Sequence, residues 1–211
     1  MNITLELEPS NQITRAISQA LTKELTLFLA ARTKIIRHKL PKILSDAINR
    51  APEVDSLRGG KLQAELGVPD AASRIDRLIE IWSNSIDIQF IPPKLVGNII
   101  YASVVISAIK ADFNDVLGAE EATYNTANNQ VISWLEWLLL EGDKQIIKTY
   151  RIGGDAGRFS RTGLGKIMIH DQRRSWGVPP EFAGTINDNF VTRTVENINA
   201  EIDTMLQDAL K

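Results

Sequence analysis

Residues 160–166 read Ser-Arg-Thr-Gly-Leu-Gly-Lys, inside the longer run RIGGDAGRFSRTGLGKIMIH. A glycine-rich loop ending in Gly-Lys is the residue type and order that cradles a phosphate. Backbone N–H groups wrap the anion and the lysine meets its charge. That chemistry also needs a glycine five residues before the Gly-Lys pair, a hydroxyl after the lysine and a helix behind it. Ser160 and Ile167 occupy the two required positions, and the β-branched residues that follow predict a strand. The stretch therefore reads as a glycine-hinged connection between two strands, with glycine supplying positive φ. The alternative is a small soluble enzyme or nucleotide-dependent factor using the loop 153–166.

Other chemistry-bearing residues are few. His38 and His170 are the only imidazoles and cysteine is absent, so thiolate chemistry and a multi-histidine metal site are excluded. His170 and Asp171 are neighbours on a predicted strand and point to opposite faces, which does not make a dyad. Glu120, Glu121, Glu136 and Glu141 do not converge by spacing. Trp134 and Trp137, three apart, predict one buried helical face. Trp176, in a polar and glycine-flanked stretch, is the expected anchor for a neighbouring subunit. No residue pattern calls for a cofactor.

Six cations (Arg151, Arg158, Arg161, Lys166, Arg173 and Arg174) stand against Asp155 and Asp171 between 151 and 174. This segment reads as a solvated loop or as a contact surface for an acidic partner or DNA. The whole chain carries a formal net charge of -2, without the basic excess usual in DNA-binding domains. MNITLELEPS alternates and carries two glutamates, unlike a signal peptide. The longest apolar runs, such as WLLL, fall well short of the roughly 20 residues a membrane helix needs.

The elements that must position these residues follow from periodicity. Ile3, Leu5 and Leu7 predict a strand closed by Pro9. Ile13, Ile17, Leu21, Leu25 and Phe28 then predict a helix whose apolar stripe drifts on through Ile35 and Ile36 to Leu40. Pro41 should kink or divide it. Gly67 should end a short helix, and Asp70 should cap the next, which carries Ile75, Leu78, Ile79 and Trp82. Ile86, Ile88 and Phe90 predict a strand broken at Pro92-Pro93. KLVGNIIYASVVISAIK predicts a second, more buried strand paired with it. DFNDVL is one helical turn, SWLEWLLLEGD a buried helix, and KQIIKTYRI and LGKIMIH two strands flanking the glycine loop. Val191, Val195, Ile198, Ile202, Met205 and Ala209 mark the core face of a C-terminal helix. The expected fold is a single α+β domain over 1–211. An antiparallel sheet is flanked by long N- and C-terminal helices, and an arm extends over about 151–185.

Four pieces of the second half, SRTGLGKIMI, WLEWLLLEGD, VPPEFAGT and NFVTRTVENI, carry a resemblance. Together they resemble the tail-completion and neck (head–tail joining) structural proteins of long-tailed bacteriophages. LRGGKLQAELGVPD is a further stretch typical of virion structural proteins. The resemblance implies a non-enzymatic virion subunit, assembled in the host cytoplasm. It also implies a homo-oligomeric ring, sixfold, between the portal-side complex and the tail. Neighbouring neck, connector and tail proteins would be its partners, with non-specific contact to DNA in the channel. The Arg-Thr-Gly element here follows the Glu-Gly element instead of preceding it. Tail terminator, head–tail connector and tail-tube adaptor therefore all stay open. On this reading Arg158, Arg161, Lys166, Arg173, Arg174, Trp176 and Phe182 are the interface candidates.

Overall fold

The computed structural model describes residues 10–96, 99–107, 113–156, 160 and 162–210. The predicted strand over Ile3, Leu5 and Leu7 lies outside them. The chain is α+β, as expected, and divides into two compact units. Unit 1 comprises Met1–Lys39, Asp87–Ser107 and Thr204–Lys211; unit 2 comprises Leu40–Ile86 and Ala108–Asp203. In place of one sheet, the described residues form three separate two-stranded antiparallel pairs.

Helix α1 runs without a break from Ser10 to Asn49, through Pro41. The expected division at the proline does not occur, although the proline cannot donate to the carbonyl of Arg37 and so removes one rung. Leu44, Ala47 and Ile48 are buried just beyond it and hold the following turns. The boundary between the two units nonetheless falls at Leu40.

The apolar stripe predicted along α1 is unevenly covered. Ile13, Ile17, Leu21, Leu27 and Phe28 are exposed, Ile17 and Leu21 by 55% each. Its continuation is covered: Ile36 and Leu40 are buried together with Thr33, and Leu25, Leu29 and Ile35 are partly covered. One apolar stripe therefore runs exposed along the N-terminal half of the helix and turns into the core along its C-terminal end.

Also in unit 1, β1 (Asp87–Val96) pairs with β2 (Ile99–Ser107). Pro92 and Pro93 do not end β1. The strand passes them with a register shift between Ile91 and Lys94, since an edge strand needs no donor on its open side. The β2 strand is exposed along most of its length, contrary to the burial its β-branched residues suggested. Within this unit the Arg37 guanidinium donates to the carbonyl of Ile88 at 2.7 Å.

Unit 2 holds the large core. Helices α2 (Pro52–Gly59), α3 (Lys61–Leu66) and α4 (Ala71–Asn84) contribute Val54, Leu57, Leu62, Leu66, Ile75, Leu78 and Trp82. Gly67 ends α3 in the left-handed region, φ 67°, as expected. Asp70 precedes α4 but its side chain does not cap it. Its φ of 48° is left-handed, whereas a capping side chain reaches the helix N–H groups from extended backbone. Arg74 instead ties α4 to the 3-10 turn Glu120–Ala122, donating to the carbonyls of Glu120, Glu121 and Thr123.

The short helix α5 (Asn114–Leu117) and the pair β3 (Tyr124–Asn125) and β4 (Val131–Ile132) lead to α6 (Trp134–Leu139). Trp134, Leu135, Leu138 and Leu139 of α6 are buried, as its composition predicted. Strands β5 (Ile147–Ala156) and β6 (Lys166–Trp176) form the expected hairpin around the glycine-rich segment. The C-terminal stripe is shared between α7 (Phe190–Asn197) and α8 (Asn199–Leu210), and hydrogen bonding continues across Ile198.

Candidate interface and the glycine-rich hairpin

The strand expected after the glycine loop is present and begins at Lys166. No helix N-terminus therefore stands behind Gly165 to receive a phosphate. The glycines have another purpose. Thr162 Oγ1 donates to the carbonyl of Gly67 at 2.7 Å. A Cβ on the buried Gly165 would sit 2.7 Å from Gly67 Cα and 3.1 Å from the carbonyl oxygen of Ala64. The loop is docked by its backbone on the C-terminal end of α3, and only glycine permits that approach.

The other pieces that carry the phage resemblance are joints of the same kind. The N–H of Gly142, in LEGD, donates to the carbonyl of Gly184, in FAGT, at 3.0 Å. A Cβ on Gly184 would meet Leu138 O at 2.6 Å. Asn189, fully buried, opens α7 with a capping box: its Oδ1 accepts from Val191 and Thr192 N–H, and Thr192 Oγ1 accepts from its own N–H. Its amide donates back to the carbonyl of Thr185 at 2.9 Å. These short motifs knit unit 2 together from within.

Two ion-pair clasps reinforce the joints. Glu53, 4% exposed, accepts from Arg193 at 2.8 Å, and the same guanidinium reaches Asp188 at 2.7 Å. Partial burial opposes the charge on Arg193, but the bonds to Asp188 and Glu53 outweigh it and raise its pKa. Lys61 donates to Glu181 at 2.5 Å on the surface. That bond raises the lysine's pKa and lowers the carboxyl's.

The interface candidates fare unequally. Arg158 and Arg161 lie outside the described residues. Lys166 is half-buried; Arg173 and Arg174 are exposed on β6. Asp171 stands 3.7 Å from Arg151 and 3.9 Å from Arg174, so part of the basic cluster is internally neutralised. Phe182 is half-buried against the unit 2 core. Trp176 is the clearest correction. It is 7% exposed, packs edge-on to Trp137 at 6.1 Å, and its indole N–H donates to Glu65 at 3.0 Å. As the last residue of β6 it turns into the core instead of projecting from a loop.

His170 is exposed and meets Tyr150 edge-on at 5.4 Å. Asp171 Oδ1 accepts from the N–H of Arg173. Glu141 pairs with Lys144 and Glu121 with Arg77, while Glu136 points to solvent. No group of three metal-ligating side chains converges among the described residues, and none of their helices is long and apolar enough to cross a membrane. The surface feature that sequence reasoning missed is in unit 1. Ile13, Ile17, Leu21 and Phe28 on α1 are exposed, as are Val96, Ile99 and Tyr101 on the β1–β2 hairpin. The spacing of the α1 stripe shows that these side chains share a face, but not what covers it.

Comparison with known proteins yields no match: no protein-family model, no curated protein and no solved structure is significantly similar to this chain.

Proposed function

We propose that the chain is a non-enzymatic structural subunit of a phage neck or tail. It would be a ring component, tail terminator or head–tail connector, between the portal-side complex and the tail. The observation that carries this reading is the amount of apolar surface that unit 1 presents. A long helix and a two-stranded hairpin both display large aliphatic and aromatic side chains to solvent. Exposed apolar surface on a helix and a hairpin is a mark of association, and an isolated hairpin or helix gains its stability by packing on a neighbour. The cohesive core of unit 2 supplies the rigid body such a subunit needs. Arg173 and Arg174 on β6 are the contacts toward a neighbouring ring or channel DNA. The resemblance of the four motifs gives the virion context.

The test is genetic. Lysates of a phage lacking this gene should accumulate filled heads and finished tails that do not join, as seen by electron microscopy. Normal joined virions in the deletion lysate would sink the reading.

A further inference from the structure

The exposed stripe of α1 runs from Ile13 to Phe28, about 22 Å at 1.5 Å per residue. Along its C-terminal part, Leu21, Glu24, Leu25 and Phe28 line a groove with Ile100 of β2, about 480 Å³ in volume. Arg32 lies over the ring of Phe28 at 4.8 Å, placing a cation at the rim. Between Ser10 and Lys39 the helix carries six Lys or Arg (Arg15, Lys23, Arg32, Lys34, Arg37 and Lys39) against Glu24 alone.

Three occupants for this surface can be compared. Another α1 would set six cations against six, a like-charge clash. A lipid surface would bring Glu24, an exposed residue at the lining of the groove, against hydrocarbon. An acidic protein partner answers both the stripe and its basic flanks, and unit 2 of this chain carries net negative charge. Unit 1 holds eight Lys or Arg and five Asp or Glu; unit 2 holds sixteen and twenty-one. The charge is thus divided by unit, positive on one and negative on the other.

We infer that the outward face of α1 docks on unit 2 of a second copy of this chain, in a head-to-tail contact. The two surfaces differ, so the contact is heterologous. It propagates until the rotation closes a ring. The apolar stripe supplies the burial, and the charge division orients the copies and disfavours α1-to-α1 pairing. The inference rests on the reading of the chain as a ring subunit, and names the surface by which the ring would form.

Sedimentation velocity on the full chain, over a concentration series at low and high salt, tests it. Species larger than the monomer should grow with concentration and shrink with salt. They should be lost in the double variant Leu21→Gln/Phe28→Gln, with circular dichroism verifying that the helices remain. Lys23→Glu/Lys34→Glu should weaken them without touching the stripe. A wild-type chain that stays monomeric throughout, or association unchanged in the stripe variant, would overturn the inference. So would stripe-dependent binding to phosphatidylserine vesicles by a chain that never self-associates. The two readings fail separately. Stripe-dependent association of a chain absent from purified particles would overturn the neck reading alone. A chain present in the neck yet monomeric at all concentrations would overturn the docking alone.

Discussion

Gly165 and Gly67 meet backbone to backbone: a methyl group on the first would lie 2.7 Å from the Cα of the second. The carbonyl of Gly67 also accepts the hydroxyl of Thr162 at 2.7 Å. The loop that looks like a phosphate cradle is thereby held against the end of α3.

Gly165→Ala should destabilise the protein by about 1–3 kcal/mol, the usual cost of overpacking, because the opposing atoms are main chain and cannot swing away. Lys166→Ala, on the next residue, should shift stability by less than about 0.5 kcal/mol. Urea unfolding of the two variants measures the contrast. Equal effects would contradict the docking described for this loop.

Trp176 makes a prediction opposite to that of a surface anchor. Trp176→Ala should cost about 3–5 kcal/mol of monomer stability, as for other large-to-small core changes. Trp176→Phe keeps most of the packing and removes the N–H that Glu65 accepts, so it should cost about 1–3 kcal/mol. Thermal melts in dilute solution would expose the alternative: a Trp176→Ala variant with unchanged stability.

The clasp around Glu53 should be asymmetric. Glu53→Ala leaves Arg193 with Asp188 and with solvent, since the arginine side chain is 39% exposed. Its expected cost is about 2 kcal/mol, below the 3–5 kcal/mol of a fully buried pair that loses one partner. Arg193→Ala strands the buried carboxylate and should cost more than Glu53→Ala. Chemical denaturation of both variants decides the order.

The Lys61–Glu181 pair gives a pH signature. Glu181 titrates below the usual 4.5 because Lys61 donates to it. Its small stabilisation is therefore complete above that value and fades as pH falls through the lowered midpoint. Lys61 is raised above 10.5, so its share is complete below that value and fades at higher pH. In Lys61→Met the carboxyl midpoint should move up toward the ordinary value, which carbon-detected NMR titration reads directly. An unmoved midpoint would show that the pair does not form in solution.

Much of unit 2 was legible in the sequence because its signals are local. WLEWLLLEGD has the length and leucine content of a buried helix, and Val191, Val195 and Ile198 recur at helical spacing. The two strands around the glycine loop announced themselves by β-branched residues. What stayed hidden depends on partners distant in sequence. Periodicity shows that Ile13, Ile17, Leu21 and Phe28 share a face, but not whether this chain or another covers it. Trp176 looked accessible because its neighbours are polar, yet its burial is decided by Trp137 and Glu65, 39 and 111 residues away. Likewise Gly165 reads as a hinge until Gly67 is seen against it.

Strand β2 spans nine residues, Ile99–Ser107, without one charge, and among the described residues it pairs only with β1. Its partner is guarded by Pro92, Pro93 and Lys94; β2 has no such guard. An unguarded edge accepts any extended chain, and the rate of that encounter rises with concentration. The pool of newly made protein therefore has a shelf life. Overproduction of this chain should therefore yield precipitate sooner than it yields inert monomer.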